Sequence, residues 1–76
     1  MTIFNSLEWG FNMIKVDRLN RGTGGVYLIS GINHDDVRAK AKEIKDGLDF
    51  MRSPYISERV QNTGELLCEV TYYGLD

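Results

Sequence analysis

RLNRGTGGVYLIS, residues 18–30, places three glycines within four positions directly ahead of an apolar run, and its reading decides the fold. A phosphate cradle of the P-loop or dinucleotide kind needs a strand before its glycines and a helix after them. Backbone N–H groups and the helix N-terminus then face the anion. Here a β-branched and aromatic run, VYLIS, follows Gly22, Gly24 and Gly25, and no Lys-Ser/Thr pair closes the loop. The glycines supply turn conformations, so residues 12–30 are expected to form a hairpin and no cofactor is expected. The hairpin's register stays open at this level. A slip of one residue exchanges Ile14 and Val16 with Met13 and Lys15 across the sheet.

Residues 33–51 read as a helix. Asn33 is positioned as the N-cap, and Asp35 and Asp36 complement the positive end of the helix dipole. Ile32 before the cap is spaced to staple onto Val37. Val37, Ala41, Ile44, Leu48 and Met51 follow at alternating spacings of four and three, a single apolar stripe. Gly47 offers an earlier stop near Asp46, and Pro54 closes the segment in either case.

Residues 55–73, YISERVQNTGELLCEVTYY, form a second hairpin whose register can be argued. Asn62-Thr63-Gly64 is a three-residue loop with glycine at the left-handed position. Pairing Gln61 with Glu65 then sets Val60 opposite Leu66, Glu58 opposite Cys68 and Ile56 opposite Val70. The apolar members share one face, as a half-buried sheet requires. The other face carries Tyr55, Ser57 and Arg59 against Glu65, Leu67, Glu69 and Thr71, with Arg59 diagonal to both glutamates. Glu58 is the polar residue out of phase. Its stem reaches solvent at the sheet edge, or its inward charge discourages edge pairing.

These elements make one α+β domain over residues 1–76: ββαββ, a four-stranded, mainly antiparallel sheet with one helix packed on one face. A fully antiparallel sheet requires strand order 2-1-3-4 or 1-2-4-3. Residues 2–11 form an apolar N-terminal segment with Ile3, Phe4, Leu7, Trp9 and Phe11. It either covers the second sheet face or presents an aromatic anchor.

Composition narrows the class. Seventy-six residues build one small core and no deep cleft. The lone Cys68 excludes an internal disulfide and fits a reducing compartment. No apolar stretch approaches the roughly 20 residues of a membrane span, and the N-terminus lacks a basic signal-peptide region. A cytoplasmic protein without membrane contact is expected. Net charge is −2, but residues 12–45 hold seven Lys/Arg against four Asp/Glu, whereas residues 46–76 hold two against six.

Catalytic and metal chemistry find little to build on. His34 is the only histidine, and His34-Asp35-Asp36 point in different directions from a helix start, where capping already explains them. Cys68 falls on the core face, remote from His34. The chain is expected to be no enzyme and to hold no metal.

Two binding readings remain. Lys15, Arg18 and Arg21 near the first hairpin, with Arg38, Lys42 and Lys45 on one helix flank, form a nucleic-acid footprint of phosphate-contacting type. The isoelectric point of 5.3 opposes it. The favoured reading is a small, non-catalytic protein-binding module, acting as an inhibitor of a host protein. One helix leaves a sheet face open, exposing Tyr55, Leu67 and Tyr73 beside Glu65 and Glu69. That face suits a basic nucleic-acid-handling protein or a homodimer through the open sheet. In size, acidity and lack of catalytic residues the chain is similar to small phage-encoded inhibitors such as anti-CRISPR proteins, a generic likeness resting on no motif.

Overall fold

The computed structural model describes residues 14–74, so the apolar segment 2–11 and Met13 lie outside the described residues. Strands β1 (Lys15–Arg21) and β2 (Gly24–Gly31) precede helix α1 (His34–Asp46). A 3-10 turn (Phe50–Arg52) and strands β3 (Tyr55–Val60) and β4 (Leu66–Tyr72) follow. The sheet order is β1-β2-β4-β3 with every neighbouring pair antiparallel, the second of the two orders that the connectivity allows.

The glycine-rich stretch is a hairpin tip. Arg21 pairs with Gly24 across a two-residue loop, and Gly22 takes the positive φ of 66°. Glycine at the first loop position is the residue choice of tight hairpin turns. The other two glycines make room rather than bend the chain. A Cβ on Gly25 would lie 2.5 Å from the Leu19 carbonyl oxygen and 2.8 Å from the Tyr72 hydroxyl. One on Gly24 would lie 2.6 Å from the Tyr72 carbonyl oxygen. The turn also settles the register: Val16 pairs with Ile29 on the helix-facing side, and Lys15, Asp17, Leu19 and Arg21 take the outer side.

Asn33 caps α1 as its sequence position predicts, its side chain accepting from the Asp36 N–H at 3.1 Å. The helix is shorter than 33–51. It stops at Asp46, where the Gly47 N–H donates to the Glu43 and Ile44 carbonyls in right-handed backbone. Asp49 then accepts from the Met51 N–H at 2.9 Å and starts the 3-10 turn, which ends on Ser53 at a φ of 50° before Pro54. A proline disfavours right-handed helix at the preceding residue, which is why the chain leaves helical geometry here. Met51 is consequently 64% exposed and does not extend the stripe; Ile32, also 64% exposed, is not buried by a staple onto Val37.

The core joins Ile29, Val37, Ala41, Leu66, Cys68 and Val70, with Ile44, Leu48, Tyr27 and Ile56 packed around them. Full burial of such side chains is worth about 1.5–3 kcal/mol each, which fixes α1 on β4 and β2. The second hairpin has the register expected of it, with Val60 opposite Leu66, Glu58 opposite Cys68 and Ile56 opposite Val70. Gly64 supplies the left-handed loop residue at a φ of 91°.

Candidate partner-binding face

Pairing across the sheet places three rows on the face away from α1. They are Leu19–Val26–Thr71–Tyr55, Asp17–Leu28–Glu69–Ser57 and Lys15–Ser30–Leu67–Arg59. Val26, Leu28 and Leu67 stand on the two central strands together with the charged Glu69, and Lys15, Asp17 and Arg59 stand on the edge strands. Shallow depressions lie on either side of Leu28, one reaching Leu19, Arg21 and Tyr55, the other Lys15, Glu65 and Gln61.

The five residues expected to form the patch do not all meet. Tyr55 and Tyr73 come together, ring centroids 6.4 Å apart, and are 47% and 56% exposed. The Tyr55 hydroxyl beside it pushes the Tyr73 phenol above the usual tyrosine value. Glu69 lies one row further along and makes no ion pair among the described residues. Glu65 sits at the opposite end of β4, accepting from the Thr63 hydroxyl at 3.4 Å. Leu67 corrects the expectation of exposure: its strand is central, flanked by Ser30 and Arg59, and it is 9% exposed. It forms floor rather than contact surface. Arg59 keeps its place opposite Leu67 but makes no ion pair among the described residues.

Leu19, Val26 and Leu28 belong to this face and escaped the sequence reading. The signal lay in the two-residue loop at Gly22-Thr23, which sets the phase of both strands.

Glu58 has a partner that no local pattern announces. Arg38 on α1 donates to both its carboxylate oxygens, and the pair ties the helix to an edge strand. The guanidinium holds the Glu58 carboxyl below its ordinary value, while Arg38 is itself raised by the same contact. Cys68 is fully buried, its sulfur 4.0 Å from Glu58 Oε2. Burial first, and the Glu58 charge second, push its thiol up, the opposite of what a nucleophile needs. His34 Nε2 lies 2.9 Å from the Gly64 carbonyl oxygen, a donor position that joins the helix start to the second hairpin tip. Among the described residues no three His, Cys, Asp or Glu gather as metal ligands would.

The six basic residues are dispersed. Arg38 is held by Glu58, Lys42 by Asp46 at 2.8 Å and Lys15 by Asp17 at 3.8 Å. Arg18 lies on the helix-facing side, donating to the Tyr72 hydroxyl at 3.2 Å with its guanidinium 5.5 Å from the Tyr27 ring centre. Arg21 is on the outer face at the hairpin tip, and Lys45 closes the last turn of α1. Lys15 and Arg21 share the outer face, whereas Arg18 and the three helix residues lie on the other side of the sheet, so the six do not form one surface.

No helix among the described residues is long and apolar enough to cross a membrane. The chain matches no family model, no curated protein and no solved structure.

Proposed function

We propose that this protein is a non-catalytic binding module that inhibits a basic, nucleic-acid-handling protein in the cytoplasm by docking the outer face of its sheet. The observation that carries the reading is the half-exposed Tyr55–Tyr73 pair one row from Glu69, an acid without an ion-pair partner among the described residues. Exposed aromatic rings supply area that a partner desolvates, and flanking acids steer and orient a cationic surface. Leu19 and Leu28 extend the apolar part of the patch across the sheet. Ion pairing and dispersal of the basic residues weigh against phosphate contact as the main activity.

The test is affinity capture from native-host extract after nuclease treatment, with wild type beside the double charge reversal Glu65→Lys, Glu69→Lys. A protein retained by wild type and released by the folded variant supports the proposal. Retention by both, or loss of every partner on nuclease treatment, contradicts it.

A further inference from the structure

Among the described residues, the edges of the sheet are β1 and β3. Every residue of β1 is exposed, Val16 at 42% and Leu19 at 49%. Its pairing with β2 runs without a bulge from Lys15 to Arg21, and it contains no proline. Such an edge offers a row of unpaired N–H and C=O groups as a template for another strand. Its charges then select the strand that fits.

Two identical strands that extend one antiparallel sheet are related by a two-fold axis perpendicular to it. Each residue therefore opposes a residue facing the same side, so the two positions sum to an even number. In β3 the acid and the base, Glu58 and Arg59, are adjacent and face opposite sides, so no self-pairing register opposes them. In β1, Asp17 and Arg21 share the outer face. An axis at Leu19 sets Asp17 against Arg21 of the second copy, twice, with Leu19 against Leu19 between the two ion pairs. An axis at Arg18 overlaps more strand but opposes Lys15 to Arg21 and Arg18 to itself. An axis at Asp17 opposes that carboxylate to its own copy. An axis at Val16 pairs Lys15 with Asp17 but overlaps only residues 15–17 of the strand.

We infer that β1 is a self-association edge, on which a second copy of this chain docks antiparallel about Leu19 with reciprocal Asp17–Arg21 pairs. The product is a continuous eight-stranded sheet. Both helices lie on one side and both outer faces are joined on the other, so the face given to the partner is left uncovered and doubled. Five overlapping residues bury less than the about 1,600 Å² of a standard interface, so association depends on concentration. The inference stands independently of the proposed function.

Sedimentation equilibrium over micromolar to millimolar protein is the test. The wild-type mass rises from 8.7 kDa towards twice that value. Asp17→Arg and Arg21→Asp each place like charges opposite one another and weaken the dimer at least about tenfold. Mixing these two variants in equal amounts restores the dimer. The introduced arginine of one chain then meets the introduced aspartate of the other, and the native Arg21 of the first meets the native Asp17 of the second. The double swap in one chain restores it too, and serves in place of a single variant that circular dichroism shows to be unfolded. A wild type that stays monomeric throughout overturns the inference. So does a dimer unaffected by the single changes, or one that neither the mixture nor the double swap restores.

Discussion

Arg38 on α1 grips Glu58 on β3 through both carboxylate oxygens, with Nε 3.2 Å from each and Nη2 3.0 Å from Oε1. The pair ties α1 to β3, the strand it packs on less than on β4 and β2. A glutamate on the helix side of an edge strand is thereby explained as a clamp.

Its consequence is a pH dependence of definite sign. Arg38 depresses the folded-state value of Glu58 below the ordinary 4.5. The contribution is fully present above that value and is lost as pH falls through the lower, folded one. Urea titrations of wild type should show stability falling on acidification, with Glu58→Gln less stable at neutral pH and a flatter profile. Asp46, lowered by Lys42, adds a slope of the same sign that the variant keeps. A Glu58→Gln profile parallel to that of wild type would show that the clamp contributes nothing.

The glycines of the first hairpin make a second prediction. Gly25→Ala drives a methyl group against the Leu19 carbonyl and the Tyr72 hydroxyl and should cost about 1–3 kcal/mol. Tyr72→Phe in that background should recover part of the loss, because it removes one of the two obstructions. Millimolar ATP with Mg²⁺ should leave the melting temperature unchanged; a rise above about 2–3 °C would return the loop to phosphate binding.

The end of α1 supplies a third. Ile44 packs on the core, whereas Met51 is 64% exposed on the 3-10 turn. Ile44→Ala should cost about 2 kcal/mol or more and Met51→Ala under about 0.5 kcal/mol in denaturant titration. Equal losses would mean that the apolar stripe continues past Leu48.

How far these features were legible depends on whether their cause is local. Asn33, Gly64 and the alternation of Ile56, Val60, Leu66, Cys68 and Val70 each act within a few residues, and they disclosed the cap, the turn and the register of the second hairpin. The first hairpin was ambiguous because apolar residues occupy both phases of IKVDRL, and only the loop length separates them. Of the two helix ends that the segment offered, the stop near Asp46 at Gly47 is the one adopted; Leu48 and Met51 prolong the stripe and favoured the longer one. Of the candidate site, the facing of Tyr55, Glu69 and Tyr73 followed from strand phase. The burial of Leu67 depends on its neighbours in the other strands and left no trace in its own segment. Arg38 and Glu58 are twenty positions apart, so their pairing was equally invisible, though a carboxylate out of phase was itself a sign that a cation faces it.

The outer face gives a fourth prediction, which separates its two kinds of residue. Tyr73→Ala should speed dissociation of the captured partner with little change in association, because a packing anchor acts after encounter. An unchanged dissociation rate would remove the tyrosine pair from the interface.

The most direct test of the proposed function is the association rate of the captured partner, measured at low and high salt. Wild type is compared with the folded Glu65→Lys, Glu69→Lys variant. Acids that steer a basic surface predict a wild-type rate that falls steeply with salt. The variant should be at least about tenfold slower at low salt and nearly insensitive to it. Unchanged affinity and unchanged salt dependence in the variant would contradict the assignment of this face to a basic protein partner.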